Sequence, residues 1–456
     1  MHSLGQTDEE FKMAEKRYLM SGMNRREFFK VSLMAGASSL VAARLAAEGV
    51  DASAAVEAGA PDGSGGRLLG SAPVLFNPSE RTIDVVFAVN GDASGWVEIS
   101  KSPDMEKSVR VYSGEGPVMR VNGKFAVVRI KGLRPATRYW YRIGADRIAL
   151  ERGYKPCNRG GETGGRTYSF ATLGAESGGS FCVMQDTHSV HDIVDQVFTK
   201  IAALKPSAIV WNGDARNFYR TVDDAVGTFL KPHPNHPAYA VETPIMFLNG
   251  NHDYRGRFAL HLEDLVPFRD ASERRMQYMA LGRNFVQRLG DIALIGLDTG
   301  EDKQDTNPRM GGIFRMTKYR ELQTSWLAEA IETPTVKTAK FKVAFCHIPL
   351  FDPNPKENPG DVLPDDDDPR YKHSWAAWQR TCANMWGPLF EKAGVCLVCT
   401  GHQHRYRLDP PTRGRSWTHL VGGQRDVIHG CVEGGRLVVC VHDAATNTIR
   451  KELKFV

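Results

Sequence analysis

Five short apolar runs in this sequence each stop at a cluster of ligand-type side chains, and that repeat limits the available folds more than any other feature. Residues 181–185, 208–212, 244–248, 341–345 and 395–399 are too short for helices and read as buried strands. They are followed by Asp186-Thr187-His188, Gly213-Asp214-Ala215-Arg216-Asn217, Gly250-Asn251-His252-Asp253, His347 and Gly401-His402-Gln403-His404. Open α/β sheets gather ligands beyond the carboxyl ends of their strands, so five polar strand ends imply a layered α/β domain with one shared site. An asparagine oxygen is a neutral, hard ligand for a cation. A histidine can hand over a proton, and an aspartate beside it can fix its tautomer. Together Asp, His and Asn suit Fe, Mn or Zn. Any one of these histidines could be a satisfied core residue, but five motifs in order are not explained that way.

The remaining pattern supports such a domain over residues 181–456. Helices are expected at 190–204, 221–230 and 318–331, and further strands at 292–297, 417–421, 436–441 and 448–455. Residues 67–172 differ: short strand-like runs alternate with turn signals such as Asn90-Gly91 and Asn122-Gly123, without a cluster of ligand-type residues. The run Leu133-Arg134-Pro135-Ala136-Thr137-Arg138-Tyr139-Trp140-Tyr141 resembles the corner of a fibronectin-type sandwich, with Tyr139 as its corner tyrosine. A Gly/Ser/Ala linker, residues 174–180, joins the two regions. The expected fold class is therefore α/β, a layered β-sandwich flanked by helices, preceded by an all-β fibronectin type III-like sandwich.

The N-terminus reads as a targeting segment. Asn24-Arg25-Arg26-Glu27-Phe28-Phe29-Lys30 precedes a small-residue apolar run, residues 31–43, that is too short to span a bilayer comfortably. Sites resembling A-x-A follow near Ala47 and Ala54. Residues 1–54 thus resemble a twin-arginine signal peptide and spacer. The export machinery becomes an expected partner, the expected location is periplasmic or secreted, and no transmembrane span is expected in the mature chain. The net charge of +5 over 456 residues gives no argument for nucleic acid and weakly suits an anionic substrate. Cys182, Cys346, Cys396, Cys399 and Cys440 lie in apolar strand-like runs and read as buried thiols, whereas Cys157, Cys382 and Cys431 read as loop residues. His233, His236, His261, His373, His419, His429 and His442 fit none of the five motifs and read as structural or surface residues.

Taken together, the five motifs resemble the signature of the calcineurin-like metallophosphoesterase superfamily, over about residues 181–442. The preceding sandwich and the sequence around Gly401 resemble its purple acid phosphatase branch. The resemblance implies two metal ions bridged by one aspartate. One ion would take Asp186, His188, Asp214 and His404; the other would take Asp214, Asn251, His347 and His402. It also implies hydrolysis of a small phosphate ester by a hydroxide held between the ions. His252 would protonate the leaving group, paired with Asp253. Arg216 and Arg255 follow ligand motifs and could hold phosphate oxygens, although solvated surface arginine is an equal reading.

The sequence departs from the purple branch at Asn217, where that branch carries a tyrosine ligand; Tyr219 is out of register. His188 is an addition. No tyrosinate-to-iron colour is therefore expected. A phosphomonoesterase is the leading expectation. A phosphodiesterase of the same superfamily is the nearest alternative, and a catalytically silent metal-binding adhesion protein is the alternative from another class. The absence of a Gly-x-Ser-x-Gly elbow disfavours a serine hydrolase. Between residues 351 and 383 lies a Pro-rich, aromatic and acidic insertion with Asp365, Asp366, Asp367 and Asp368. It reads either as a lid that disfavours polyphosphates or as a solvated loop.

Overall fold

A computed structural model describes residues 66–114, 121–266, 283–303, 305, 312–351 and 375–456. The signal-like segment, Asp365–Asp368 and Tyr371 lie outside the described residues. Among the described residues eight strands come first: β1 (Val74–Phe76), β2 (Ile83–Ala88), β3 (Ala93–Ser100), β4 (Val109–Tyr112), β5 (Phe125–Ile130), β6 (Arg138–Glu151), β7 (Lys155–Thr163) and β8 (Tyr168–Ala171). Twelve follow: β9 (Ser180–Met184), β10 (Ala208–Asn212), β11 (Ile245–Leu248), β12 (Phe285–Leu289), β13 (Ile292–Leu297), β14 (Phe341–Cys346), β15 (Leu397–Thr400), β16 (Arg407–Asp409), β17 (Thr418–Val421), β18 (Asp426–Glu433), β19 (Arg436–Asp443) and β20 (Thr448–Phe455). The fold is the expected mixed α/β layering after an N-terminal β region.

Two sheets face each other in the α/β part. One has the order β20-β19-β18-β9-β10-β11-β1-β2-β5, the other β12-β13-β14-β15-β17-β16. Their inner faces share a core that includes Phe181, Val183, Val210, Leu248, Leu294, Val343, Phe345 and Leu420. The alternate residues point outward under helices. Cys182, Met184, Ile209 and Trp211 meet the helices His191–Leu204 and Val222–Leu230. Ala344 and Cys346 meet Met316–Ala330 and Trp386 and Phe390 of Trp375–Ala393. Strands buried on both faces need continuous apolar runs rather than alternation, which is why 208–212 and 341–345 read so plainly.

The N-terminal β region does not stand apart from this core. β1 lies parallel to β11 at Phe76↔Ile245, so β1, β2 and β5 extend the nine-stranded sheet. Val86 and Ala88 face the helical layer, while Val85 and Phe87 face the second, N-terminal core with Val97, Ile143 and Phe170. Each face of β2 thus has its own partner layer. Tyr141 adds a 2.6 Å hydrogen bond from its hydroxyl to the Val241 carbonyl, and residues 66–456 form one compact unit. The Tyr139 hydroxyl accepts a 2.9 Å bond from Arg134 N, closing the turn before β6.

Some expectations need correction. All eight cysteines are free thiols, but Cys157 lies in β7, Cys431 in β18 and Cys382 is buried in the helix Trp375–Ala393. That same helix replaces the last part of the expected loop insertion, from Trp375 onward. Strands β12 and β18 were not anticipated by their sequences. Among the described residues no helix is long and apolar enough to cross a membrane.

Candidate metal centre

Five strands deliver the candidate ligands to one edge. β9, β10 and β11 are adjacent and parallel, so Asp186, Asp214 and Asn251 leave the same end of one sheet. β14 and β15 are parallel neighbours in the other sheet and deliver His347 and His402 with His404. Asn212, fully buried at the end of β10, ties the two sheets together. Its side-chain amide donates to the carbonyls of Cys346 (3.1 Å) and Cys399 (3.3 Å). Its own carbonyl lies 2.7 Å from His347 Nδ1, which fixes the tautomer and turns Nε2 into the centre.

The ligand atoms form two groups that share one residue. Asp186, His188, Asp214 and His404 make the first; Asp214, His347 and His402 make the second, and within each group the atoms lie within 4.8 Å of one another. His188 Nε2 and His404 Nε2 are 3.0 Å apart, and His404 Nε2 is 3.5 Å from Asp186 Oδ1. His347 Nε2 is 3.2 Å from Asp214 Oδ2 and 3.7 Å from Asp186 Oδ1. Asn251 Oδ1 lies 3.1 Å from His402 Nδ1, which places it with the second group.

The donor chemistry fits cations. His347 Nε2 is buried and makes no hydrogen bond of acceptable geometry, so an orphaned nitrogen points at two carboxylates. Burial pulls the His188 and His402 imidazoles down to about 4, leaving both rings neutral at ordinary pH, the form in which imidazole ligates a cation. Burial pushes Asp186 up to about 7, with repulsion from Asp214 adding and His347 opposing. Burial also acts to raise Asp214, yet His347 and its other imidazole neighbours hold that carboxyl below its usual range. The flanking Asp214 and Asp186 carboxylates, overcoming burial, raise His347 to about 10. A proton there offsets charge that a bound cation would otherwise balance.

Backbone geometry shows how tightly the loops are drawn in. Asp186, His188, Asp214, His402 and His404 all have φ between 47° and 69°. Such conformations are uncommon outside glycine, cost about 1–3 kcal/mol each and cluster at functional sites. Gly250 permits the closest approach: a Cβ there would stand 2.1 Å from Asp214 Oδ1. Side-chain to backbone bonds then hold the loops, with His252 N donating to Asp214 Oδ1 (2.9 Å) and His402 N to Asp186 Oδ2 (2.9 Å).

His252 and Asp253 lie at this edge but do not pair as the sequence suggested. His252 Nδ1 sits 3.0 Å from the Asn217 carbonyl, and its ring stands 5.1 Å from that of His188. Asp253 is fully buried behind the ligands. Its Oδ2 accepts from Asp214 N (2.7 Å) and Gly250 N (2.8 Å), and its Oδ1 accepts from the Tyr219 hydroxyl (2.9 Å). The short 3₁₀ turn His252–Tyr254 sends neighbouring side chains in different directions, which a linear reading does not show. Tyr219→Phe should leave a buried carboxylate oxygen short of a donor and lower stability by about 1–3 kcal/mol in urea melts. Ligand-loop support of this kind usually changes metal affinity by about 10–100-fold, so metal retention should fall with it.

The two arginines are engaged with carboxylates. Arg216 Nη2 donates to Asp224 Oδ1 (2.6 Å). Arg255 clasps the buried Glu301 through Nε (3.1 Å) and Nη2 (2.8 Å), while its Nη1 lies 3.3 Å from both ring nitrogens of His252. Glu301 and Asp302 follow β13, making Asp298-Thr299-Gly300-Glu301-Asp302 a sixth polar strand end. The rule that picked out the other five could have found it. Gln424, whose side chain donates to the Asp186 carbonyl (3.0 Å), has no such signal.

The family model described as calcineurin-like phosphoesterase matches residues 180–406, the stretch that contains every candidate ligand. That stretch is a calcineurin-like phosphoesterase domain. The domain makes the chain a hydrolase of phosphate esters. Its fold is similar to that of purple acid phosphatase PPD1 from yellow lupin (Lupinus luteus) seeds, with a TM-score of 0.56 at 12% identity, covering 85% of this chain and 75% of that one. It is also similar to PhoD, with a TM-score of 0.55 at 11% identity, covering 84% and 88%. No curated protein matches the sequence.

Proposed function

We propose that this calcineurin-like phosphoesterase is an exported, dinuclear phosphomonoesterase. The observation that supports it most is that Asp214 belongs to both ligand groups, so one carboxylate can bridge two ions. Asp186, His188 and His404 would complete the first site, and Asn251, His347 and His402 the second. When bound, two such ions neutralise an anionic ester and make water a nucleophile at neutral pH. The chain's residues supply the rest. His347 is held in one tautomer by the Asn212 carbonyl, and Asp253 fixes the Asp214 backbone through its N–H. His252, half-buried beside His188, is placed to give a proton to the departing alkoxide, with Nδ1 anchored on Asn217 and Nε2 as the donor.

Export is supported by the twin-arginine-like run from Asn24 to Lys30 and the small-residue segment after it. The ions are drawn from Fe, Mn and Zn. A phosphodiesterase is the second reading, and one observation favours it. Arg255 is matched by Glu301 and Asp302, which leaves less net positive charge for a dianionic monoester than the sequence suggested. Rates on p-nitrophenyl phosphate and bis-p-nitrophenyl phosphate separate the two. The proposal expects the higher kcat/KM on the monoester; a higher value on the diester selects the second reading.

A further inference from the structure

Away from the five strand ends, another group of metal-type ligands comes together on the helical layer. Asp195 lies in the helix His191–Leu204, and His233 and His236 lie in the turn after the helix Val222–Leu230. Their ligand atoms fall within 4.8 Å of one another. His236 Nε2 is 2.9 Å and His233 Nδ1 is 3.5 Å from the same oxygen, Asp195 Oδ1. We propose that Asp195, His233 and His236 form a separate structural site for a Zn²⁺-type ion.

The geometry and the chemistry agree. Ligands about 2.0–2.1 Å from a tetrahedral zinc stand about 3.3 Å apart, between the two distances seen here. Two imidazoles and a carboxylate are a common zinc set, with a fourth position left for water or another donor. His191 is one candidate for that position, its ring 5.0 Å from that of His233. The spacing His233-Pro234-Asn235-His236 is closed into a turn by His236 N donating to the His233 carbonyl (3.1 Å), which sets both rings on one side. The two imidazole side chains are 9% and 15% exposed and Asp195 is 39% exposed, so the site is walled by protein yet reachable from solvent.

Supporting groups are also in place. Asn235 Nδ2 donates to Asp195 Oδ1 (3.0 Å), and Thr199 Oγ1 lies 3.4 Å from His236 Nε2. Asn235 N lies 3.2 Å from His233 Nδ1, a long contact that an ion would displace. Phe198 packs on His236 and stacks on Tyr239 at 4.4 Å, backing the turn with apolar surface. The same helix begins three residues after His188. An ion here would pin the turn to the helix that anchors the Asp186–His188 loop.

Counting zinc tests the site. The full-length protein, an Asp195→Ala variant and a His233→Gln/His236→Gln variant are chelated, reloaded with Zn²⁺, desalted and analysed for bound zinc. The wild type should retain one equivalent more than either variant, and Zn²⁺ should raise its melting temperature further than theirs. The count is a difference, so it does not depend on how many ions the Asp186–Asp214 centre holds. Asp195→Ala sits at a helical, partly exposed position that alanine suits, so it decides the matter alone if the double variant does not fold. Equal zinc content in the wild type and Asp195→Ala would overturn the proposal.

Discussion

Replacing Asp214 by asparagine is expected to remove bound metal and turnover together. The carboxylate is the one group shared by both ligand sets. It also receives His252 N at 2.9 Å, so it would position the proposed acid as well as the proposed ions. An amide keeps the shape but gives up the charge and one strong acceptor. Stabilisation of transition-state charge by bound metal is worth several kcal/mol, so kcat/KM should fall by about 10³-fold or more. Metal analysis after desalting should show less bound ion than in the wild type. A folded variant that keeps two tightly bound ions and near-normal turnover would remove Asp214 from the bridging role.

His252→Ala should behave differently. The side chain stands beside the ligand set rather than in it, anchored on the Asn217 carbonyl at 3.0 Å. Metal content should therefore stay at the wild-type level. The rate on alkyl phosphates, whose leaving group needs a proton, should drop by about 10²–10⁴-fold. The loss should be much smaller on p-nitrophenyl phosphate, which departs readily as an anion. Equal losses on both esters would assign His252 to positioning instead of proton transfer.

The candidate ligands were legible as a converging set because each follows an apolar run that is buried on both faces, and such runs signal strand ends clearly. Their strain was not legible. Asp186, His188, Asp214, His402 and His404 carry left-handed backbone without being glycine, and nothing local in the sequence marks that. The helpers behind the ligands were mostly hidden for a different reason. Asn212 looks like the last residue of a strand, yet its amide bridges two sheets across separations of more than one hundred residues. Asp253 looks like the partner of His252 because it is adjacent in sequence, but the 3₁₀ turn directs it to Tyr219 and the Asp214 backbone. The pairing of β1 with β11 links Phe76 to Ile245, and periodicity within either strand says nothing about that choice. At β18, Gly430 and the polar residues Asp426 and His429 dilute the apolar signal, so the strand emerges only when β9 and β19 pair with it.

The proposed role of the converging strand ends is metal-dependent hydrolysis of phosphate monoesters. Hydrolysis of p-nitrophenyl phosphate, followed on one preparation as purified, after exhaustive chelation and after metal is restored, tests it most directly. Turnover should disappear with the chelator and return with Fe, Mn or Zn, at a higher kcat/KM than on bis-p-nitrophenyl phosphate. A folded protein that binds its metal and hydrolyses neither ester, or one whose turnover survives removal of all metal, would contradict it.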